Sequence, residues 1–334
     1  MKRVKTLVLS EEDIKNVLSI DETIAAVESA FKMKATHRTQ MPPKQYIFMK
    51  KYNGDLRTMP AYIEDVDVAT VKVVNSHPDN RKQGLPTVMA TITLIDPKTG
   101  FPKAIMSGTW ITALRTAAAG AIAAKYLANP NPKTVGFVGA GTQARTQLMG
   151  LQRVFDSILE VKVWDINEKA SEAYVKEMTT VYPQLKFCSV ENVKEAVQNV
   201  DVVVTATPSR KPLVFAKWIS KGTHINCIGA DAPGKQELDP SILLKSKIVI
   251  DDWEQGVHGG EINVPFGEGL ISKEDVWSEI CEVVAGLKAG RTSKEEITVF
   301  SSTGLAIQDT AAANIAYNKA LQEKIGKQVD ILNV

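Results

Sequence analysis

The sequence predicts an α/β protein that combines a doubly wound parallel sheet with a discontinuous α+β domain. Hairpin signals run through residues 44–106, where apolar alternation is interrupted by turns such as Asn53-Gly54. From residue 134 onward, short apolar strands alternate with helices, an order typical of a parallel sheet covered on both faces. The 334 residues are enough for two domains with full hydrophobic cores.

The first part of the chain should contain two helices, a set of antiparallel strands and a long helix. Ser10 followed by Asp13 predicts a capping box, and Asp21 is expected to cap the amphipathic run Ala25–Lys34. Asp96–Gly100 is a turn between two strands. The predicted strands and the small-residue helix are Gln45–Met49, Ala69–Val74, Val88–Ile95, Lys103–Met106 and Trp110–Leu127.

The second part predicts the parallel sheet, and a last helix, Leu305–Lys324, is assigned back to the first domain. The domains are therefore expected at 1–121 with 304–334 and at 122–303. The predicted strands are Thr134–Val138, Glu160–Trp164, Leu185–Cys188, Val202–Thr205, Thr223–Ile228 and Ile248–Ile250. The predicted helices between them are Thr142–Val154, Ala170–Val181 and Val190–Gln198.

Composition excludes several classes of partner. Forty Lys and Arg against 38 Asp and Glu give a net charge of +2, which removes the usual electrostatic reason to expect nucleic-acid or polybasic membrane binding. Three cysteines are too few for a disulfide framework, and no apolar run approaches the length of a membrane span. We therefore expect a soluble protein of a reducing compartment, the cytoplasm.

A glycine-rich turn predicts a dinucleotide site. Gly139-Ala140-Gly141-Thr142-Gln143-Ala144 follows a predicted strand and opens a predicted helix, the context that the GxGxxA fingerprint of a Rossmann domain requires. Asp165 ends the next strand, where a carboxylate accepts hydrogen bonds from a ribose diol and repels a 2′-phosphate. NAD is thus the predicted cofactor, with Arg145 and Asn167 nearby leaving NADP as the alternative.

Other charged residues each allow two interpretations. Lys72 lies inside an apolar strand, so it is either on a solvated face or a buried functional cation. Arg115, near the start of a helix, is either an exposed arginine or part of an anion site, since a cation there opposes the helix dipole. Asp231 follows a strand and suits a plain turn or a general base. His258 and Glu261 are weak evidence for a metal, and no metal is predicted.

Several longer stretches along nearly the whole chain are distinctive: 41–44 (MPPK), 54–60 (GDLRTMP), 72–78 (KVVNSHP), 84–90 (GLPTVMA), 114–118 (LRTAA), 139–144, 224–238 (HINCIGADAPGKQEL) and 298–309 (TVFSSTGLAIQD). Together they resemble the ornithine cyclodeaminase/μ-crystallin family, and within it the archaeal-type NAD-dependent alanine dehydrogenases. The resemblance implies a Rossmann domain and a substrate domain that forms a homodimer through its sheet. It implies reversible oxidative deamination of a small L-amino acid, with L-alanine giving pyruvate and ammonia.

The resemblance also implies roles for individual residues. Lys72 and Asp231 are the expected catalytic residues. The expected substrate contacts are Lys44, Arg57, Lys72 and Arg115. The expected cofactor contacts are Thr87, Arg115, Thr116, Gly139, Gly141, Thr142, Gln143, Asp165, Thr205, Gly229, Ala230 and Ser301.

The residue type at position 57 helps to distinguish between the activities found in this family. Cyclodeaminases carry a Glu there to hold the distal amine of ornithine, whereas this chain has Arg57, which should reject a cationic side chain. The alternatives are reduction of a cyclic imine such as Δ1-pyrroline-2-carboxylate, ornithine cyclodeamination, or non-catalytic NAD(P)H binding of the μ-crystallin type. Retention of Asp231 argues against the last of these, because the μ-crystallin branch lacks that residue.

Overall fold

A computed structural model describes residues 4–332 and divides them into two compact units. The first unit comprises the chain up to Arg115 together with the segment from Leu305 onward, and the second is Thr116–Gly304. The discontinuity of the first unit agrees with the return of the last helix expected from the sequence. The division into domains of separate function at residues 121/122 and 303/304 stays a prediction.

The helices and strands, in chain order, have the following bounds. Up to residue 127 they are β1 (Thr6–Leu9), α1 (Glu11–Val17), α2 (Ile20–Ala35), β2 (Thr39–Gln40), β3 (Gln45–Met49), β4 (Gly54–Ile63), β5 (Val68–Ser76), β6 (Val88–Ile95), β7 (Pro102–Ser107) and α3 (Thr109–Leu127). Next come β8 (Thr134–Val138), α4 (Thr142–Val154), β9 (Glu160–Trp164), α5 (Glu168–Val181), β10 (Lys186–Ser189), α6 (Val193–Val197), β11 (Val202–Thr205), β12 (Arg210–Val214), β13 (His224–Cys227) and β14 (Gln236–Leu238). The last are α7 (Pro240–Leu243), β15 (Ser246–Ile250), α8 (Trp253–Gly259), α9 (Asn263–Gly267), β16 (Val276–Glu279), α10 (Ile280–Val284), β17 (Ile297–Ser301), α11 (Ala306–Glu323) and β18 (Lys327–Val329).

The first unit is built on a mixed sheet in the order β18-β1-β7-β6-β5-β4-β2, with β3 paired to β4. All of its ladders are antiparallel except β1 with β7. Buried and more exposed residues alternate along β4 and β5, so that one face is covered. Helix α11 packs on α2 and against β4, β5 and β6 on this inner face. The inner face carries Met59, Lys72 and Ile92, all buried.

The two N-terminal helices begin at capping boxes. The box predicted at Ser10 and Asp13 is confirmed. The predicted cap at Asp21 is wrong, because α2 begins two residues earlier, with Ser19 as N-cap and Glu22 closing the box. A serine hydroxyl followed three residues later by a glutamate satisfies two orphan amides, so it is a better start than an aspartate inside the first turn.

The second unit contains a fully parallel sheet of eight strands in the order β10-β9-β8-β11-β13-β17-β15-β16. The order runs outward in both directions from β8 and β11, which is the doubly wound arrangement predicted from the sequence. Ligands in such sheets bind beyond the carboxyl ends of the strands at this switch point. A ligand site is therefore expected at the loops that follow β8 and β11.

Successive strand residues in this sheet face opposite layers. Val202 and Val204 join a core cluster with Leu148 of α4 and Tyr174 of α5, whereas Val203 joins a second cluster with α6 and α7 residues. Helices thus cover both faces. The predicted helix Val190–Gln198 is shorter in the structure, Val193–Val197. Among the described residues, no helix is long and apolar enough to cross a membrane.

Candidate active site

The glycine-rich turn connects β8 to α4 as the sequence predicts. Gly139 has φ +104°, and a Cβ there would lie 2.8 Å from the carbonyl oxygen of Ala206, so only glycine fits. Gly141 is the N-cap of α4, and a Cβ added there would meet no atom within 4 Å. Ala144, the third fingerprint position, is completely buried against the sheet. The turn therefore leaves open space above Gly141 at the start of a helix of 13 residues.

The first turn of α4 has features that suit an anionic ligand. Gly141 supplies no side-chain cap for the helix, so its leading amides are directed to the same space. Within the described residues, Gln143 Oε1 is buried and has no hydrogen-bond partner. An orphaned acceptor beside uncapped amides fits a ligand that brings both phosphates and hydroxyl donors. A dinucleotide has both.

Asp165 lies at the end of β9 beside this turn. Its Oδ2 accepts the backbone N–H of Ala140 at 2.8 Å, and its Oδ1 accepts that of Asn167 at 2.9 Å. Each carboxylate oxygen keeps a further lone pair, so the group can still accept ribose hydroxyls. Arg145 instead donates to the carbonyl oxygen of Ala140 at 2.6 Å and to Glu177 at 2.8 Å. Arg145 is the residue that kept NADP as an alternative cofactor. Because its guanidinium is already engaged in these hydrogen bonds, the arrangement favours a ribose without a 2′-phosphate.

Two buried glutamates, Glu237 and Glu261, form hydrogen bonds with the chain at the ends of β11 and β13 and in β14. Glu237 accepts hydrogen bonds from the hydroxyl of Thr205 at 2.8 Å and from the amide of Gly229 at 3.0 Å. It also accepts the amide and hydroxyl of Thr207 at 2.7 and 2.8 Å. Glu261 accepts the amides of Glu237 and Leu238. Burial raises the pKa of both carboxyls, and the pKa of Glu261 is raised further because its neighbour Glu237 carries negative charge.

The hydroxyls expected to contact a cofactor therefore have structural partners. The hydroxyl of Thr205 donates to Glu237, and the hydroxyl oxygen of Ser301 accepts the amide of Glu261 at 2.9 Å. Ala230 is completely buried. Any contact of these residues with a ligand would come from the backbone or a remaining lone pair.

Asp231 lies in the loop between β13 and β14 that these glutamates anchor. Its amide donates to the carbonyl oxygen of Gly229 at 3.0 Å, and its Oδ1 lies 2.5 Å from Nζ of Lys235. The ion pair holds the carboxylate beside a cation, and a carboxylate is the form of this side chain that can accept a proton. The loop is further fixed by Asn263, whose side chain bonds Gly234 and Lys235 at 2.9 and 2.8 Å.

A charged cluster, the Asp309 cluster, lies inside the first unit. Lys72 of β5 is completely buried, and its Nζ lies 2.7 Å from Oδ2 of Asp309 in the first turn of α11. Arg115, also buried, places Nε 3.0 Å from Oδ1 of the same carboxylate. Neither cation is on a solvated face, so the simpler interpretations of Lys72 and Arg115 are wrong. Two cations share one carboxylate, which leaves the cluster one positive charge in excess.

This excess charge affects the titration of Lys72. Burial and the nearby charge of Arg115 lower the pKa of Lys72 to about 7, although Asp309 opposes the shift. Gln308 is buried beside the cluster, and its Oε1 accepts Nη1 of Arg115 at 3.0 Å and the amide of Leu305 at 3.2 Å. Its Nε2 has no hydrogen-bond partner among the described residues. The cluster therefore offers positive charge and an unused donor, which suits a carboxylate ligand.

Arg57 and Lys44 lie in the same unit. Arg57 is buried in β4 and donates from Nε and Nη2 to the two oxygens of Asp55 at 2.9 and 3.0 Å. Its guanidinium also lies 5.3 Å from the ring centroid of Tyr46. Lys44 immediately precedes β3 and is half-buried, and its charge contributes to lowering the pKa of Lys72. All the substrate contacts expected from the resemblance are therefore in the first unit.

The other residues singled out in the sequence make ordinary structural contacts or are simply buried. Thr87 precedes β6, and its carbonyl oxygen accepts the amide of His77 at 2.8 Å. Thr116 is buried in α3. His258 is bonded through Nδ1 to the carbonyl oxygen of Glu254, whereas Glu261 binds backbone amides elsewhere. The residues that the structure describes contain no group of three or more His, Cys, Asp or Glu able to hold a metal.

The sequence predicted no role for Asp309, Gln308 or Glu237, and Glu261 was considered only as a weak metal ligand. Asp309 and Gln308 lie in a segment that was noted only for its resemblance and as the start of the predicted last helix. The signal available in the sequence was an aspartate among alanine and isoleucine residues near the start of a helix, since a charge in apolar surroundings requires a partner.

The doubly wound sheet and its open glycine turn define a dinucleotide-binding protein of the Rossmann type, with a second unit that carries a buried cationic cluster. The chain belongs to the ornithine cyclodeaminase/mu-crystallin family, whose model matches residues 4–324. The resemblance stated from the sequence is thus confirmed.

Three relatives cover nearly the whole chain. An alanine dehydrogenase of Archaeoglobus fulgidus is 51% identical over 99% of this chain and 100% of its own length. A solved structure described as an archaeal alanine dehydrogenase dimer with bound NAD has a TM-score of 0.94 and 52% identity, covering 98% of this chain and all of that one. The Thermococcus litoralis Δ1-pyrroline-2-carboxylate reductase in complex with NADH and L-proline has a TM-score of 0.94 and 42% identity, covering 97% of this chain and all of that one.

The Asp309 cluster predicts opposite effects of two substitutions. Asp309→Asn leaves two buried cations without a counter-ion and should lower the free energy of unfolding by about 3–5 kcal/mol. Lys72→Met leaves Arg115 and Asp309 as a one-to-one pair and should be neutral or stabilising, because the lowered pKa shows that the fold disfavours the lysine charge. Urea unfolding at pH 6 measures both. Equal losses would contradict the shared-carboxylate interpretation.

The space above Gly141 predicts a binding defect without a folding defect. Gly141→Ala should unfold at the same urea concentration as the wild type, since its Cβ meets nothing within 4 Å, but should bind NADH at least about tenfold more weakly. Gly267→Ala, where a Cβ is equally unobstructed, is the matched control and should change neither property. Fluorescence titration with NADH gives the affinity. Unchanged affinity in Gly141→Ala would place the dinucleotide elsewhere.

Proposed function

We propose that this chain is an NAD-dependent L-alanine dehydrogenase. The reaction converts L-alanine, NAD⁺ and water to pyruvate, ammonium, NADH and a proton, and it is reversible. The observation that carries the proposal is the Asp309 cluster, in which two buried cations share one carboxylate and so leave charge for a substrate carboxylate. The full-length similarity to alanine dehydrogenases supports the choice of substrate.

The first unit supplies the substrate contacts in this proposal. Lys72 and Arg115 bind the carboxylate of alanine or pyruvate, with Arg57 and Lys44 adding positive charge around them. Fixing the carboxylate orients the α-carbon, and such positioning supplies much of the rate enhancement. Lys72 also polarises the carbonyl group of pyruvate when it is protonated. Its pKa of about 7 lets it change charge near neutral pH.

The second unit supplies the cofactor contacts. The Gly139–Gln143 turn would hold the pyrophosphate and Asp165 the adenine ribose, as the open space and the remaining lone pairs allow. The other cofactor contacts are proposed from the family resemblance: Thr87, Arg115, Thr116, Thr205, Gly229, Ala230 and Ser301. Bound NAD supplies the hydride acceptor for the α-carbon of the substrate.

Asp231 is the proposed general base. Its carboxylate accepts a proton from the substrate ammonium or from the water that adds to the imine carbon. Lys235 holds this carboxylate in one orientation through the 2.5 Å ion pair. Burial of Glu237 and Glu261 beneath the same loop fixes its two ends, so that the base is positioned before substrate arrives.

Reduction of Δ1-pyrroline-2-carboxylate is the second candidate. It needs the same carboxylate contacts and hydride donor, and a reductase of this kind is 42% identical to the chain. Ornithine cyclodeamination is disfavoured because Arg57 would repel the distal ammonium of ornithine. Non-catalytic binding of NADH is disfavoured because Asp231 is present and oriented.

A homodimer that forms through the first sheet is part of the proposal. The outer face of β3, β4 and β5, opposite α11, carries Ile47 and Val73, which are 63% and 36% exposed. An apolar sheet face of this kind requires a cover, and a second copy supplies one. The solved relative described as a dimer supports this choice of partner. Cytoplasmic location is proposed because none of the three cysteines, all within the described residues, forms a disulfide.

Substrate-dependent NADH oxidation tests the function and the base together. The wild type should oxidise NADH with pyruvate plus ammonium faster than with Δ1-pyrroline-2-carboxylate and not at all without either. Asp231→Asn should lower kcat by about 10²–10⁴-fold, because the base is lost, while NADH affinity stays within about twofold. Asp156→Asn, in an exposed turn of the same unit, is the control and should retain full activity. Near-normal turnover by Asp231→Asn would refute the assignment of the base.

The pKa of Lys72 predicts how pyruvate affinity depends on pH. Below about pH 7 the side chain is cationic and attracts the carboxylate, whereas above it the charge is lost. The dissociation constant of pyruvate with the enzyme–NADH complex, measured by calorimetry without ammonium, should therefore be flat below pH 7 and rise by up to about tenfold per pH unit above it. Lys72→Arg, which keeps its charge, should show no break. A break near pH 7 in that variant would assign the titration to another group.

A further inference from the structure

The pairing of Arg57 with Asp55 is built into one strand. The two residues are two apart in β4, so both side chains project from the inner face of the sheet. Nε and Nη2 of the guanidinium contact the two carboxylate oxygens in a two-bond fork. The side chains of Arg57 and Asp55 are only 8% and 14% exposed, and the Tyr46 ring lies against the guanidinium. A two-bond fork of this kind is the strongest and most directional contact that an arginine offers to a carboxylate.

The strand register places this fork beside the Asp309 cluster. Met59 is the Cα partner of Lys72, and Arg57 is the partner of Val74, so Arg57 and Lys72 are diagonal neighbours on the inner face. Diagonal positions in an antiparallel pair lie about 7–8 Å apart. A ligand whose first carboxylate is held by Lys72 and Arg115 therefore has Arg57 within reach of any second carboxylate.

The Asp309 cluster and the Arg57–Asp55 pair differ in the positive charge that remains for a ligand. The Asp309 cluster has two cations to one carboxylate and so can accept one more. The fork of Arg57 is already directed to the carboxylate of Asp55. Arg57 can add positive charge near a substrate, but a second carboxylate would have to displace Asp55 and leave a mostly buried anion without its partner.

We propose that Asp55 is a specificity-determining residue, which holds the fork of Arg57 and thereby restricts the enzyme to 2-oxo and 2-amino acids with a single carboxylate. The proposal rests on the proposed function and deepens it by naming the excluded class, the four-carbon dicarboxylic acids. Asp55 acts through Arg57 and is a positioning residue. Its removal should open a second carboxylate site.

The test compares pyruvate with oxaloacetate as the 2-oxo acid. Oxaloacetate, ammonium, NADH and a proton give aspartate, NAD⁺ and water, in the same balance as the reaction with pyruvate. The measured quantity is kcat/KM for oxaloacetate divided by kcat/KM for pyruvate. In Asp55→Asn this ratio should rise about 10- to 100-fold over the wild type, since the guanidinium gains a charged partner in the substrate. Asp55→Ser, which removes the charge with a smaller side chain, should raise it likewise.

Two further variants separate this role from a structural one. Asp55→Glu keeps a carboxylate for Arg57 and should restore a ratio close to that of the wild type. The double variant Asp55→Asn/Arg57→Met should lose the gain, because the second carboxylate then has no guanidinium to bind. NADH affinity and the urea midpoint of unfolding check that each variant is folded.

A binding measurement on the wild type keeps the test independent of turnover. Calorimetry on the enzyme–NADH complex should give propionate at least about tenfold tighter binding than succinate, and Asp55→Asn should narrow that difference. Equal wild-type affinities overturn the proposal, as does an unchanged ratio in Asp55→Asn and Asp55→Ser or a gain that persists without Arg57. Absence of pyruvate turnover with the binding preference intact would instead overturn the proposed function and leave the single-carboxylate site supported.

Discussion

One carboxylate that serves two buried cations is the interaction on which the first unit depends. Asp309 lies in the first turn of α11, where a negative charge is favoured by the helix dipole, and it reaches both Lys72 of β5 and Arg115 of α3. It therefore joins a strand and two helices that are far apart in sequence. Because a buried charge without a partner is costly, this contact fixes the packing of α11 on the sheet and the positions of both cations.

Carboxylates also fix the structure of the second unit, where they bind the backbone amides of loops. The loops that leave a parallel sheet expose backbone amides, and nearby carboxylates accept them. Asp165 binds the amide of Ala140, Glu237 that of Gly229, and Asp251 those of Thr303 and Gly304 at 2.6 and 2.7 Å. Each contact fixes a loop through its backbone amides, with no need for a bulky side chain on the loop. The space beyond the strand ends therefore stays open. Rigid loops around an open space are what a dinucleotide site requires.

The features of the fold that could be predicted from the sequence are those that depend on local patterns of residues. Alternation predicted β3, β5, β6 and β7, and apolar runs predicted β8, β9, β10, β11, β13 and β15, whereas β4 was not among the predicted strands. The glycine turn predicted the switch point of the parallel sheet, and the order of elements predicted the fold class. The sequence could not distinguish a buried Lys72 from a solvated one, because that depends on Asp309, more than 200 residues away along the chain. Pairing across such distances leaves no trace in spacing. The roles assigned to Lys72, Arg115 and Asp231 came from family resemblance rather than from periodicity, and they stay proposals.

The buried pair Glu237 and Glu261 links the stability of the loop that bears Asp231 to pH. Folding raises the pKa of each carboxyl, so the stability that its protonated form contributes is complete in acid and is lost as pH rises through the folded pKa. Oxidation of an amino acid releases a proton and is drawn forward by base. A rise in pH therefore favours deamination while it weakens the loop that carries Asp231, and so trades thermodynamic pull against the durability of the catalyst.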